Sequence, residues 1–395
     1  MKELDLVIIG GGPAGLSTAL HLQALAPALR VVVLEAQTYP REKICAGGIG
    51  ARALTLLDKL GVTVDCPMVR IDAVAMRVAG QQLVASVPGC GVVVRRVEFD
   101  HALARQAIAR GIEVRDATPV TALDVEDDHV RVTTEAGDVL RTRAIVGADG
   151  VAGITRRLTG FSRGALRAQV VELDTDASPL DLPRDTIVFD FAAHDLRGYA
   201  WDFPTQVGGR PLVCRGAYVL HHLGPDSPKA RIAAYLHARG LSLADYKLKQ
   251  FAERGFEPGA DIACRRVLLA GEAAGIDIAT GEGIAQAIEY GALAGEYLAA
   301  AFSRDNLLFS TWRQFVDRHH IGRQLRIRHL CYRAFYGRHR PTIERIMPRL
   351  EALFRVGVQD FAGLPLSKLA IAQGAARFLG ALAREGMRSP DPELP

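Results

Sequence analysis

A glycine-rich segment between an apolar run and a helical pattern restricts the possible folds of this chain more than any other feature. Leu4–Ile9 is a short apolar run, the segment Gly10-Gly11-Gly12-Pro13-Ala14-Gly15 follows it, and residues Pro13 to Leu25 have helix composition. Val31–Leu34 is a second strand-like run that ends at Glu35. This order predicts a β-α-β unit with parallel strands and a right-handed crossover.

The G-x-G-x-x-G spacing predicts a dinucleotide at the start of the helix. The first glycine permits a tight turn, the second lets the backbone approach a pyrophosphate, and the third lets helix and strand pack closely. Free N–H groups at the helix start attract the phosphates, and a carboxylate at the end of the second strand can accept both ribose hydroxyls. The motif alone does not separate NAD from FAD. The residues assigned to this cradle are Gly10, Gly12, Pro13, Ala14, Gly15, Glu35 and Ala36.

Three further segments resemble those of FAD-dependent hydroxylases and their relatives. Arg96-Val97-Glu98-Phe99-Asp100 resembles their R-x-x-F-D segment, and Gly147-Ala148-Asp149-Gly150 resembles their D-G motif. Leu269 to Gly275 resembles their G-D motif, with Glu272 where aspartate is usual. The resemblance to these single-Rossmann flavoproteins implies FAD as the cofactor. It further implies that Glu272 bonds the ribityl chain, that Arg96 lies near the diphosphate, and that Asp149, Gly150 and Gly271 also contact the cofactor.

The segment Thr280-Gly281-Glu282-Gly283-Ile284 opens an Ala-rich helical pattern that runs through Ala301. A helix N-terminus that faces the pyrimidine edge of a flavin would stabilise negative charge on the reduced ring. The alternative is a glycine-rich helix start without a ligand. We assign Gly281, Glu282, Gly283 and Ile284 to the cofactor site.

An aromatic pattern resembles the signature of the geranylgeranyl reductase family. Phe189 is followed after eight residues by Gly198-Tyr199-Ala200-Trp201-Asp202-Phe203-Pro204, which fits F/Y-x8-G-Y-x-W-x-F-P. The segment from Pro40 to Gly48 resembles the family's cysteine-glycine segment, and through it Lys43 and Gly47 join the predicted cofactor contacts. Two positions depart from the family pattern: Ala46 and Ala279 stand where glycine and proline are common.

Strand alternation places Tyr199, Trp201 and Phe203 on one face. With Phe189 they would form an aromatic wall for a bulky apolar substrate, or they would be core between sheet and helices. Cys45 would supply a proton beside the flavin, because an ordinary thiol is mostly protonated at neutral pH. The alternative for Cys45 is a small buried cysteine. The predicted catalytic residues are Cys45, Tyr199 and Trp201.

The whole pattern predicts an α/β fold: a Rossmann-type FAD-binding domain with a parallel sheet, an inserted, mainly antiparallel substrate domain, and a helical C-terminal region. The helical pattern from Thr311 to Gly386 is broken near Pro341, Pro348 and Pro365. The predicted FAD-binding domain comprises 1–65, 95–165 and 262–302, and the substrate domain 66–94 and 166–261. Residues 303–388 form the C-terminal region, and 389–395 a disordered tail.

Composition excludes several classes. No run of 18 apolar residues and no signal-peptide pattern is present, so we expect a cytoplasmic protein. Six scattered cysteines without a C-x-x-C pair predict neither a disulfide framework nor a metal site. The net charge is +4, yet residues 304–388 hold 16 Lys+Arg against 6 Asp+Glu. This basic region could contact anionic lipid at a membrane surface, a pyrophosphate or an acidic protein, or be a solvated surface, and nothing indicates nucleic acid.

Three functions fit these patterns. The first is an FAD-dependent reductase that saturates C=C bonds in a prenyl-like chain, and the second a monooxygenase that acts on an aromatic, carrier-bound or protein-bound substrate. The third is an electron-relay flavoprotein. Halogenation, which needs a lysine, is disfavoured unless Lys43 or Lys59 reaches the site, because no lysine lies between Lys59 and Lys229. No second Rossmann fingerprint is present, so NAD(P)H would visit transiently or a protein would deliver the electrons.

Overall fold

The computed structural model describes residues 4–191, 197–220, 227–337 and 340–386. The described part of the chain forms two eight-stranded sheets and eleven α-helices. The strands are β1 Leu4–Ile9, β2 Val31–Leu34, β3 Gly48–Gly50, β4 Met68–Val78, β5 Gln81–Val94, β6 Glu113–Arg115, β7 Val120–Val125, β8 Val130–Thr134, β9 Val139–Gly147, β10 Arg167–Thr175, β11 Thr186–Asp190, β12 Gly198–Val207, β13 Arg210–Leu220, β14 Lys249–Arg254, β15 Ala263–Cys264 and β16 Val267–Leu269. The helices are α1 Pro13–Leu25, α2 Ala51–Asp58, α3 Arg96–Ala109, α4 Thr155–Leu158, α5 Pro228–His237, α6 Ile284–Ser303, α7 Trp312–Arg318, α8 His320–Phe335, α9 Arg340–Ile346, α10 Glu351–Phe361 and α11 Lys368–Gly386.

The first sheet has the strand order β15-β16-β9-β1-β2-β6, and the strands from β16 to β6 run parallel. The hairpin of β7 and β8 joins it antiparallel to β9. Residues Leu6 to Ile8 of β1 are fully buried, as expected for a central parallel strand covered on both faces. Helices α1 and α6 pack on one face. The predicted Rossmann-type domain with a parallel sheet is confirmed.

The second sheet has the order β14-β10-β13-β12-β11-β4-β5-β3. All its pairings are antiparallel except that of β11 with β4, so the predicted mainly antiparallel sheet is confirmed. β3 belongs to this sheet although it lies in the range 1–65 assigned to the FAD-binding domain. The chain passes between the sheets at Gly47, whose φ of +83° is accessible to glycine at little cost.

The C-terminal helices begin or end near the three prolines at which the sequence pattern is broken. Pro341 lies in the first turn of α9, Pro348 lies in the 3-10 turn Met347–Arg349, and Pro365 lies between α10 and α11. A further break separates α7 from α8 at His319, whose ψ of 171° is extended. Aromatic side chains of α8 and α10 pack against one face of the second sheet. The predicted disordered tail 389–395 lies outside the described residues.

Among the residues that the structure describes, no helix has both the length and the apolar character needed to cross a bilayer. The arginines of the C-terminal region differ in environment. Arg326 pairs with Asp317 at the surface, whereas Arg328 binds two carboxylates inside the molecule. Part of this basic region is therefore structural and does not form a continuous free surface.

Candidate functional site

The glycine-rich turn after β1 packs closely against the protein backbone at Gly10 and Gly15 and is open at Gly12. A methyl group on Gly10, whose φ is +109°, would lie 2.4 Å from the Ala148 carbonyl oxygen, and one on Gly15 would lie 2.0 Å from the Gly10 carbonyl oxygen. At Gly12 the nearest atoms to such a methyl group are the guanidinium nitrogens of Arg41 and Arg96, at 3.7 and 3.8 Å. Two cations therefore face the backbone at the start of α1, which suits a diphosphate.

Glu35 lies beside this turn, as its sequence position predicts. Its carboxylate accepts the Gly11 N–H at 2.9 Å and the Gln37 N–H at 3.1 Å. Arg41 Nε lies 3.1 Å from the same carboxylate. Pro13 and Ala14 are buried in the first turn of α1, while Ala36 is exposed beyond Glu35.

A buried carboxylate orients the two cations. Asp100, which is fully buried, accepts bonds of 2.7 and 2.6 Å from Arg96, and Arg41 Nη1 lies 3.0 Å away. The sequence motifs predicted Arg96 at this position but did not indicate Arg41 or Asp100. Both residues lie within segments that carried the family resemblance, and this was the only sequence signal for them.

Asp149 presents an unsatisfied oxygen to the site. Its Oδ2 accepts the N–H and the hydroxyl of Thr155, both at 2.8 Å, while its buried Oδ1 has no hydrogen-bond partner among the described residues. Burial raises the pKa of this carboxyl. A methyl group on Gly153 would lie 2.1 Å from Asp149 Cγ, which explains glycine at that position. An orphaned buried acceptor fits a ligand that brings hydroxyl donors, as the ribityl and ribose groups of FAD do.

Glu272 and Lys43 meet close to Asp149. An ideal Cβ on Gly150 would lie 3.5 Å from Glu272 Oε2, and Glu272 Oε1 accepts the Arg254 N–H at 3.3 Å. Lys43 Nζ lies 3.9 Å from Glu272 Oε2 and 2.9 Å from the centroid of the Phe251 ring. Burial lowers the pKa of Lys43 and raises that of Glu272. Because Lys43 lies in the site, the lack of lysines between Lys59 and Lys229 does not exclude halogenation.

Close packing also holds the loops on the far side of the site. A methyl group on Gly271 would lie 2.6 Å from the Ala14 side chain, so this glycine lets the loop approach α1. Gly281, with φ of +68°, lies against Tyr218 and Glu253: an ideal Cβ would be 2.9 and 3.0 Å from them. Glu253 Oε2 is buried without a hydrogen-bond partner among the described residues, and burial raises its pKa.

The remaining predicted residues of this loop have different environments. Gly283 packs against Ile276, and the buried Ile284 begins α6. Glu282 forms an ion pair with Arg328, so its side chain has a partner inside the protein. A contact of Glu282 with the cofactor stays a prediction.

The four predicted substrate residues lie together on one face of the second sheet. Tyr199 and Trp201 have ring centroids 6.2 Å apart, and Phe189 lies 5.4 Å from both Tyr199 and Phe203. Tyr199 is stacked on Tyr218 at 5.1 Å. The side chains of α8 and α10 close over this face, so it serves as core here, and the substrate pocket remains a prediction.

The aromatic face contacts both predicted cofactor loops. The Tyr199 hydroxyl donates to the Thr280 carbonyl oxygen, and the Tyr218 hydroxyl donates to that of Ile278 at 3.0 Å. At the other end, a methyl group on Gly48 would lie 2.8 Å from the Phe203 ring. An apolar molecule on this face would therefore lie beside the loops that the motifs assign to the flavin.

Cys45 lies in the loop that ends at Gly47. Its backbone N–H donates to Glu172 Oε1 at 3.1 Å, and the Gly47 N–H donates to its Sγ at 3.4 Å. Burial raises the pKa of the Cys45 thiol to about 11, so the thiol holds its proton at neutral pH. Cys45 and Glu172 line one small cavity that is partly open to solvent. No sequence motif indicated Glu172.

Comparisons with known proteins agree with this geometry. Residues 3–210 match the family model described as FAD binding domain. The chain is similar to the digeranylgeranylglycerophospholipid reductase of Methanosarcina mazei, with 30% identity over 77% of each chain. It is also similar to the rifampicin monooxygenase of Streptomyces venezuelae, with 31% identity over 40% of this chain and 34% of that protein.

A solved structure covers nearly the whole fold. The geranylgeranyl bacteriochlorophyll reductase-like protein of Thermoplasma acidophilum superposes with a TM-score of 0.77 and 17% identity, over 98% of this chain and 99% of that one. The cradle around Gly12, Glu35 and Asp149 fits FAD, which is the cofactor of this protein. The chain therefore belongs to the geranylgeranyl reductase-like family of FAD-dependent oxidoreductases.

Proposed function

We propose that this flavoprotein reduces C=C bonds in a prenyl-like chain or a similarly bulky apolar substrate. One observation carries the proposal: a single buried aromatic face reaches from the Cys45–Gly48 loop to the loop at Thr280. An apolar chain bound on that face would lie between a protonated thiol and the predicted pyrimidine edge of the flavin. The similarity to a reductase of geranylgeranyl lipids supports the same chemistry.

Alkene reduction needs a hydride and a proton on adjacent carbons. Reduced FAD supplies the hydride from N5 when it is bound. Cys45 supplies the proton, since burial raises the pKa of its thiol to about 11 and keeps it protonated. Tyr199, Trp201 and Phe203, with Phe189, hold the substrate chain by apolar contact. The thiolate left on Cys45 must regain a proton before the next bond is reduced.

A monooxygenase is the second candidate, because the chain is similar to rifampicin monooxygenase over 40% of its length. The same cofactor cradle serves reduction and oxygenation, so the fold does not decide between them. An electron relay to a protein partner is the third candidate. NAD(P)H remains our proposed transient electron donor.

One anaerobic experiment separates these candidates. The purified FAD-loaded protein is reduced, mixed with a geranylgeranyl lipid without oxygen, and followed by flavin absorbance; isotopically labelled oxygen is then admitted. Reoxidation by the lipid with formation of saturated product supports the reductase. Labelled oxygen in the product indicates a monooxygenase and contradicts the proposal. Reoxidation only by a redox protein indicates the relay and also contradicts it.

Cysteine variants test the proton donor. Cys45→Ala should lower the rate of alkene reduction at least tenfold and leave FAD affinity unchanged, because the thiol acts on the substrate. Cys264→Ala is the matched control, since Cys264 lies at the edge of the first sheet. Full alkene-reducing activity in Cys45→Ser or Cys45→Ala would remove the assignment.

We also infer that α8 contacts anionic lipid at a membrane surface. Ile327 and Leu330 are 54% and 63% exposed, and the exposed Arg323 and Arg333 flank them. Exposed apolar residues flanked by cations suit an anionic bilayer. Sedimentation with vesicles containing phosphatidylserine, but not with pure phosphatidylcholine, should be reduced in Leu330→Glu. Equal sedimentation of the variant, or none of the wild type, would contradict this inference.

A further inference from the structure

Glu172 is a buried carboxyl that the proposed chemistry does not yet use. It is 5% exposed and lies on β10, on the same sheet face as Val170 and the aromatic residues. Its Oε1 accepts the Cys45 backbone N–H at 3.1 Å, and its Oε2 lies 3.9 Å from Cys214 Sγ. The carboxyl therefore bridges the loop of the proposed proton donor and strand β13.

The charged groups around Glu172 are engaged with one another. Arg95 binds Asp174 at 2.9 Å, while Lys249 Nζ lies 3.4 Å from Glu42 and 3.8 Å from Asp174. Lys43 and Arg96, which also line the cavity, bind Glu272 and Asp100. The negative charges of Glu172 and Glu253 both raise the pKa of the Cys45 thiol. Among the residues that the structure describes, none forms an ion pair with Glu172, although the charges of Lys249 and Arg95 act on it and oppose the rise of its pKa.

The cavity connects this carboxyl with solvent. Glu42 lies at its mouth with a side chain 67% exposed, and Cys45 and the buried Cys214 and Glu172 also line it. None of the four aromatic residues Phe189, Tyr199, Trp201 and Phe203 lines this cavity. Water in the cavity can therefore reach Glu172 without crossing the aromatic face.

We propose that Glu172 returns protons from solvent to Cys45 after each reduction, acting as a positioning and proton-relay residue. This inference rests on the proposed reductase function. After Cys45 has protonated the substrate carbon, the O–H bond of the Glu172 carboxylic acid breaks and the S–H bond of Cys45 forms again. The resulting Glu172 carboxylate is then protonated by hydronium or a buffer acid of the bulk solvent through water in the cavity, so each cycle consumes one solvent proton and charge and atoms balance.

The acidities of the two groups agree with this direction of transfer. Burial raises the pKa of Glu172 to about 7 and that of Cys45 to about 11. A carboxylic acid of the lower pKa gives its proton to the thiolate favourably. Near neutral pH Glu172 exchanges its proton with water readily, which a relay requires.

Single and multiple turnovers of Glu172→Gln test the relay. In the first turnover Cys45 already holds its proton, so the rate should stay within about twofold of wild type. Later turnovers should be at least tenfold slower. In wild type the multiple-turnover rate should fall as pH rises through about 7, while Glu172→Gln should show no such fall. Glu172→Asp should restore the pH dependence of the multiple-turnover rate. Glu42→Gln, which removes a carboxylate at the cavity mouth, should behave as wild type.

Equal slowing of first and later turnovers in Glu172→Gln would mean a merely structural role and would overturn the relay. Unchanged multiple turnover would overturn it as well. If wild type does not reduce the lipid at all, the proposed function itself has failed. The coupling of the two residues is then read from iodoacetamide alkylation of Cys45 against pH, measured by mass spectrometry of its peptide.

Removal of the Glu172 charge should move the midpoint of Cys45 alkylation down by about one pH unit, since a nearby negative charge opposes thiolate formation. Glu42→Gln should leave the midpoint in place. An unchanged midpoint in Glu172→Gln would show that the two groups are not coupled and would overturn the inference independently of activity.

Discussion

Arg328 holds the loop that leads into α6, and its replacement gives a sharp test of the site geometry. Its Nη1 lies 2.9 Å from Asp277 Oδ2 and also binds Glu282. Asp277 in turn accepts the N–H groups of Ala279 at 2.8 Å and Thr280 at 3.3 Å. One guanidinium therefore fixes both ends of the segment that carries Gly281.

Arg328→Met would leave two neighbouring carboxylates without their cation. The Asp277 side chain is fully buried, and that of Glu282 is 15% exposed. Breaking a buried pair from one side costs about 3–5 kcal/mol. Because the Arg328 side chain is 22% exposed, we expect the lower end, about 3 kcal/mol. At an m-value of about 3 kcal/mol per molar, the urea midpoint would fall by about 1 M.

Urea unfolding and FAD titration by fluorescence quenching measure the two consequences. FAD affinity should fall with stability, because the loop at Gly281 loses its support. Arg326→Met is the matched control: this arginine lies on the same helix, is 54% exposed and pairs with Asp317, so about 1 kcal/mol or less is expected. Equal effects of the two variants, or an unchanged FAD affinity in Arg328→Met, would refute the reasoning.

Three further predictions concern packing and pH. Gly15→Ala places a methyl group 2.0 Å from the Gly10 carbonyl oxygen. A fluorescence titration should therefore show that FAD binds at least about tenfold more weakly, a loss of about 1.4 kcal/mol in binding free energy. An unchanged FAD affinity would contradict the close approach of helix and turn. Gly216→Ala places a methyl group 2.0 Å from Trp201 Cζ2. Steady-state kinetics should therefore show a raised KM for the substrate with a normal FAD affinity. An unchanged KM would indicate that Trp201 has a purely structural role. Hydrogen bonds to Asp360 and Glu289 raise the pKa of His320 to about 9. The contribution of His320 to stability is therefore fully present below about pH 6.5 and is lost as pH rises through about 9. Thermal unfolding from pH 6 to 10 should show this loss of stability, and His320→Gln should not show it.

Local pattern was sufficient for the parallel core and the cofactor turn. The strand, turn and helix of Leu4 to Leu25 have the predicted bounds because apolar runs, glycines and helix formers act over a few residues. The aromatic face was also predictable, since strand alternation alone places Tyr199, Trp201 and Phe203 on one side. The β3 strand was missed, because three residues with two glycines carry no strand pattern and form one only by pairing with β5.

The sequence by itself determined the Rossmann-type core, the glycine-rich turn after β1 and which aromatic residues share one sheet face, because each depends on residues close together in the chain. Only the tertiary structure decided which distant side chains share the site. Asp100 joins Arg41 to Arg96, and Glu172 meets Cys45 across 127 positions of sequence. Such contacts leave no periodic pattern in the sequence, because they form only when segments far apart in the chain pack together and bury a carboxyl away from water.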